Sequence, residues 1–169
     1  MNTKTLIRIA MIAAVYTVTS LALAPFSFSN IQVRIAESLT MLPLIYKNGI
    51  WGVTLGCFLT NLIGALTGVN PTGYLDAVIG TLATLIAAVI TYRCRDMKTG
   101  KLPLVSMLAP VVLNFVFVGA ELAFLFMPEN VLLGMLIFGA EVAVGEIIAV
   151  MIGWILVEAL RKTKVFEEK

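Results

Sequence analysis

The architecture turns on Arg34-Ile35-Ala36-Glu37-Ser38-Leu39-Thr40-Met41-Leu42-Pro43-Leu44-Ile45-Tyr46-Lys47. Only nine uncharged residues separate Glu37 from Lys47, whereas a membrane-spanning helix takes about 20. The neighbouring runs are longer. Arg8 and Arg34 bracket 25 uncharged residues, Lys47 and Asp76 bracket 28, Asp76 and Arg93 bracket 16, and Lys101 and Glu121 bracket 19. Spans are therefore expected at 7–24, 32–47, 49–66, 74–92, 103–124 and 138–158, the second either crossing or re-entering. Flanking charge favours a crossing. With six spans and a cytoplasmic amino terminus, Arg34 is the one basic residue of 12 that faces outward. Without the second crossing, Arg93, Arg95, Lys98 and Lys101 would lie in an external loop. The sequence thus predicts an all-α integral membrane protein, a single domain over 1–169 with six transmembrane helices and both termini cytoplasmic.

Composition agrees. Of the 169 residues 60% are hydrophobic and 13% charged, with a mean hydropathy of +1.00. A soluble fold of this size has too little interior to hide so much apolar surface. Six crossings would use roughly 120 residues and leave no room for a soluble catalytic domain. The chain has no histidine, and so lacks the commonest metal ligand and general base. Cys57 falls in an apolar run and Cys94 beside a basic loop, which argues against a disulfide or a metal pair. Gly100-Lys101 lacks the first glycine and the hydroxyl of a phosphate-binding loop. No nucleophile and base pair can be identified, so an enzyme is disfavoured, and neither a cofactor nor a nucleic-acid partner is expected. Tyr46, Trp51, Tyr92 and Trp154 fall at the expected inner interface, where amphipathic rings settle at headgroup depth. Lys4 and Arg8 before Ala22-Leu23-Ala24 imitate a cleavable leader, but Pro25 and five more spans follow.

Small residues recur at helical spacing. Gly52, Gly56, Thr60, Gly64 and Gly68 form one stripe, and Gly145, Ala149 and Gly153 another. Ala10-Met11-Ile12-Ala13-Ala14 opens a small face on the first span that Thr17 and Ser20 extend. Such stripes allow close helix approach in lipid, within the chain or against another membrane protein.

Ionisable residues within spans are functional candidates, because a charge at the bilayer centre costs roughly 2.5 to 3.5 kcal/mol on insertion scales. Glu146 lies deepest, about eight residues inside the outer end of the last span. Glu121 and Glu141 sit nearer the outer boundary, and Asp76 opens the fourth span, where the helix macrodipole also favours a carboxylate. Arg34 and Glu37 are three apart and can pair on one helix face. Asn61 and Asn114 interrupt apolar runs and need hydrogen-bond partners, from a neighbouring helix or from a ligand. All of these fall in the outer half of the expected topology. They describe a polar pocket open to the outside, with a carboxylate excess suited to a ligand that is cationic or rich in N–H donors. Phe28, Tyr74, Phe117 and Phe124 are available to stack on a flat ring.

Ile31-Gln32-Val33-Arg34-Ile35-Ala36-Glu37-Ser38-Leu39-Thr40, followed by Leu42-Pro43, closely resembles the QueT family. Further matches follow in order: Gly52-Val53-Thr54-Leu55-Gly56-Cys57, Asn61, Asp76 with Gly80-Thr81-Leu82-Ala83-Thr84-Leu85, Ala120-Glu121-Leu122 and Gly145-Glu146. The resemblance implies a six-helix S component of an energy-coupling-factor (ECF) vitamin transporter in a bacterial plasma membrane. Its ligand would be a queuosine precursor, a 7-deazaguanine such as the aminomethyl base or queuine, captured from outside. Its partners would be one transmembrane coupling protein and two ATP-binding cassette ATPases, which fits the missing phosphate-binding loop. The family's docking face on the first helix would correspond to Ala10 and Ala14. Glu141 lies outside the family pattern, and Ser38 stands where alanine is usual.

A 7-deazaguanine presents N1–H and an amino group on one edge, which one carboxylate can accept together, and an aminomethyl arm suits a second. Arg34 could donate to O6 or organise Glu37. The expected substrate site comprises Arg34, Glu37, Asn61, Asp76, Asn114, Glu121, Glu141 and Glu146. Three other readings remain: an S component for another flat cation such as thiamine, a secondary transporter in which Glu146 and Glu121 carry protons, or a structural membrane protein.

Overall fold

The computed structural model describes residues 2–24, 34–163 and 165–166. Five helices long and apolar enough to cross a membrane are present among these residues: α1 (Thr3–Ala22), α2 (Gly49–Thr67), α3 (Tyr74–Arg93), α4 (Leu104–Phe126) and α5 (Val131–Thr163). The expected span 32–47 is instead a ten-residue 3-10 helix, Ile35–Leu44. Residues 25–33, among them Phe28 and Ile31 to Val33 of the family motif, lie outside the described residues, as do Lys164 and Lys169.

The local sequence explains the departure from α geometry. Pro43 has no N–H to donate and its ring would collide with the carbonyl four residues back, at Leu39. The Thr40 hydroxyl donates to the Glu37 carbonyl at 2.6 Å, competing for the backbone acceptor. The tighter winding rises about 2.0 Å per residue, so the twelve steps from Arg34 to Tyr46 cover roughly 24 Å where an α-helix would cover about 18 Å. The neighbouring α3 covers the same distance, about 24 Å, between Asp76 and Tyr92. Arg34 meets Asp76 at one end and Lys47 lies 5.9 Å from the Tyr92 ring at the other. The short segment therefore runs the length of the bundle. It touches all five helices and is buried from Ala36 to Leu44 except for the half-buried Leu39, which is where irregular backbone is tolerated at membrane depth.

The bundle end holding Tyr46 also gathers the start of α1 and the end of α5. Arg8 donates to the Val165 carbonyl at 3.0 Å and lies over the Tyr46 ring, which stacks on Phe166 with centroids 4.9 Å apart. Tyr46 is therefore buried inside the bundle end and does not belong to the expected lipid-facing belt, whereas Trp51 is exposed. α5 is 33 residues long, about 50 Å, beginning seven residues before the expected span and ending five after it.

The glycine stripes are internal packing. A Cβ on Gly52 would lie 2.7 Å from Ile12 Cγ2, and one on Gly56 2.6 Å from Tyr16 Cβ, so α2 meets α1 backbone to backbone. Gly68, the last member of that stripe, ends α2 in the left-handed conformation at φ 73°. Gly153 lets α5 close on the Ser38 carbonyl and Met41 of the 3-10 segment. The small residues of α1 do not share one environment: Ala13, Thr17 and Ser20 are buried, while Ala10 and Ala14 are exposed.

Candidate substrate site

Four elements carry charge into one buried cluster. The start of the 3-10 segment supplies Arg34 and Glu37, α3 supplies Asp76, α4 supplies Glu121 with Asn114, and α5 supplies Glu146. Arg34, Glu37, Asp76, Glu121 and Glu146 are each no more than 8% exposed. Arg34 crosses to α3, its Nη2 donating to Asp76 Oδ2 at 3.2 Å, while its Nη1 is 4.0 Å from Glu37 Oε1. The expected local pair with Glu37 is thus the looser of its two contacts. Asn70 Nδ2 donates to the same Asp76 oxygen at 3.1 Å, and Asn70 Oδ1 accepts from the backbone and hydroxyl of Thr72. Asp76 is thereby held by a guanidinium on one side and the α2–α3 turn on the other.

Gly80, one turn below Asp76, completes this arrangement. A side chain there would collide with Asp76 Oδ1 and come within 3.1 Å of Asn61 Nδ2, so Asp76 lies over its own helix through the space Gly80 leaves. Asn61 is wholly buried and donates to the Asp76 carbonyl at 3.0 Å and to Cys57 Sγ at 3.5 Å. It supports Asp76 and does not line the cavity. Cys57 also accepts from Thr84 at 3.3 Å, and both cysteines are free, as expected.

Glu146 is the sixteenth residue of α5 and Asn114 the eleventh of α4, and the Asn114 amide donates to Glu146 Oε1 at 2.8 Å. Both sit near the middle of their helices, so the site reaches from the Asp76 end of the bundle to mid-depth, beyond the outer half expected for it. Between them Arg34, Glu37, Gly80, Asn114, Val118, Val142 and Glu146 line a cavity of about 10 Å³, room for about one water. A bicyclic base enters this space only if the side chains around it move apart.

Several expected members fall elsewhere. Glu141 is half-buried and has no hydrogen-bond or ion-pair partner among the described residues; it is five residues from Glu146, which turns it well off the Glu146 face of α5. Tyr74 and Phe124, considered for stacking, are 59% and 69% exposed, and Phe117 is half-buried.

Ionisable side chains buried together between membrane-length helices are candidates for a functional site. The sequence model of the family described as QueT transporter matches residues 6–162. The chain belongs to the QueT transporter family. As a QueT family member with five membrane-length helices among its described residues, it is a multi-pass membrane protein. It is similar to the queuosine precursor transporter QueT of Lactococcus lactis subsp. cremoris (strain MG1363), with 29% identity over 87 residues. That match covers 50% of this chain and 47% of the relative, so the chain spans about half the length of the curated relative it matches. No solved structure matches.

The QueT cluster also recruits residues that sequence reasoning passed over. Tyr16, fully buried on α1, donates its hydroxyl to Glu37 Oε1. A tyrosine in the middle of an apolar span is a signal of a buried polar partner, but nothing in its spacing names Glu37. Asn70 and Thr72 read as ordinary turn residues around Pro71, yet Asn70 bonds Asp76 six residues on and Thr72 holds Asn70 in place.

Proposed function

We propose that the chain is the S component of an energy-coupling-factor importer in a bacterial plasma membrane, capturing a queuosine precursor of the 7-deazaguanine type from outside. The observation that carries this reading is the enclosed set of four carboxylates around one guanidinium, contributed by four elements that meet only in the folded bundle. Glu146, held by Asn114 through one oxygen, has no donor to its second oxygen among the described residues, and neither has Glu37 beyond its bond from Tyr16. A guanine-like edge supplies the N–H groups such acceptors need. Arg34 orients Glu37 and Asp76. The Arg8 end of the bundle, which carries Lys47, Arg95, Lys98 and Arg161, faces the cytoplasm in this reading, consistent with the distribution of basic residues. Ala10 and Ala14, exposed on α1 among Leu6, Ile7, Met11 and Val15, form the face that docks on the coupling protein. Two ATP-binding cassette ATPases would supply the energy, as this chain has no phosphate-binding loop.

The deciding experiment is thermal stabilisation of the purified protein against aminomethyl-deazaguanine, queuine, guanine and thiamine. A ligand at 100 times its Kd should stabilise by about 2.7 kcal/mol, and the deazaguanines should exceed guanine and thiamine. Stabilisation by thiamine alone would replace the proposed ligand class. Uptake that follows the proton gradient in the absence of partner proteins would replace the ECF reading with a secondary transporter.

A further inference from the structure

Glu121 differs from the other three carboxylates of the cluster. Glu37 accepts from Tyr16, Asp76 from Arg34 and Asn70, and Glu146 from Asn114. Among the described residues no hydrogen bond of ordinary geometry reaches either oxygen of Glu121, although the residue is only 5% exposed. Thr72 lies beside it, but its single hydroxyl proton points to Asn70 Oδ1 at 2.8 Å. A buried carboxylate with both oxygens unmet is costly, and native structures meet such groups with a counter-ion, a ligand or a proton.

Its position narrows the choice. Asn114, Val118 and Glu121 follow at i, i+4 and i+7 on α4 and share one face. The first two line the cavity, and Glu121 stands about 10 Å further along the helix from Asn114, toward the Asp76 end. Glu146 thus lines the cavity itself, and Glu121 stands beyond its lining on the same face of α4, toward the Asp76 end. Arg34 lies between Asp76 and Glu37, 3.2 Å from the first and 4.0 Å from the second.

Resting on the deazaguanine reading above, we infer that Glu121 is the specificity residue that receives a cationic arm of the ligand, so that the transporter selects a base bearing an ammonium substituent over its neutral counterpart. Glu146 takes the N–H edge of the base at the deep end, and the arm extends outward along α4. The ammonium supplies a charged N–H donor to a carboxylate that receives no hydrogen bond of ordinary geometry among the described residues.

The test is calorimetric binding by the full chain in lipid nanodiscs, with 7-aminomethyl-7-deazaguanine as the cationic probe and 7-cyano-7-deazaguanine as the neutral one. The wild type should prefer the aminomethyl base by about tenfold or more, the size of one charge-assisted hydrogen bond. Glu121→Gln, which keeps the volume and removes the charge, should abolish that preference while leaving the cyano base bound as before. Glu146→Gln should weaken both. Retained binding of the cyano base shows that the variant is folded. If Glu121→Gln leaves the preference intact, or weakens both bases alike, Glu121 is a protonated or packing residue and the inference is overturned while the deazaguanine reading stands. If the wild type binds neither base, that reading fails and the inference with it.

Discussion

Adding a single methyl group at Gly80 should expose how Asp76 is held. An alanine Cβ there would overlap Asp76 Oδ1 and sit 3.1 Å from Asn61 Nδ2 and 3.2 Å from Asp76 Cγ. Asp76 cannot yield freely, since Arg34 at 3.2 Å and Asn70 at 3.1 Å fix its other oxygen and Asn61 bonds its carbonyl. Overpacking of this kind costs about 1–3 kcal/mol, against which alanine gains about 1 kcal/mol of helix propensity over glycine. Gly80→Ala alone should therefore destabilise by up to about 2 kcal/mol and weaken ligand binding about tenfold, through displacement of Asp76 from Arg34. In an Asp76→Ala background the overlap is gone, and the same methyl should be neutral or stabilise by up to about 1 kcal/mol. The sign of the effect thus reverses, with a coupling of about 1–3 kcal/mol, within the range found for residues in contact. Reversible unfolding of the four proteins of this cycle in detergent measures it directly. Equal effects of the methyl in both backgrounds would refute the argument that the missing side chain of Gly80 is what lets Asp76 into the site.

Tyr16→Phe removes the hydroxyl that donates to Glu37 Oε1, and should weaken ligand binding about tenfold with some loss of fold stability; an unchanged Kd by calorimetry would detach α1 from the site. Ala14→Trp, on an exposed position, should abolish uptake in vesicles carrying the coupling module yet keep the Kd of the isolated subunit within about threefold, and a lost affinity would mean that this face packs internally. In a Cys94→Ser background, Val69→Cys and Glu129→Cys should react with an impermeant thiol reagent from outside whole cells, and Lys98→Cys only after lysis. External labelling at Lys98 would invert or shorten the proposed topology.

The sequence by itself determined the class of protein and most members of its buried charged cluster. Charge scarcity and long apolar runs require a bilayer because no soluble core of this size could absorb them, and four of the six expected spans match helices of the structure to within a few residues, the first, third, fourth and fifth. The cost of intramembrane charge singled out Arg34, Glu37, Asp76, Glu121 and Glu146 before any contact was known, and the structure brings all five into one buried cluster. Tertiary structure decided what hydropathy cannot encode. Residues 35–44 wind as a 3-10 helix because Pro43 and Thr40 disfavour α geometry and the surrounding helices satisfy and bury the backbone, a compensation supplied by partners distant in the chain. Arg34 turns to Asp76 more closely than to Glu37, and Tyr16 reaches Glu37, because α1, α2 and α3 close on the segment through Gly52, Gly56 and Gly80. Periodicity names the face a residue occupies, but its partner depends on where a second helix crosses, and that is fixed only when all the helices pack together.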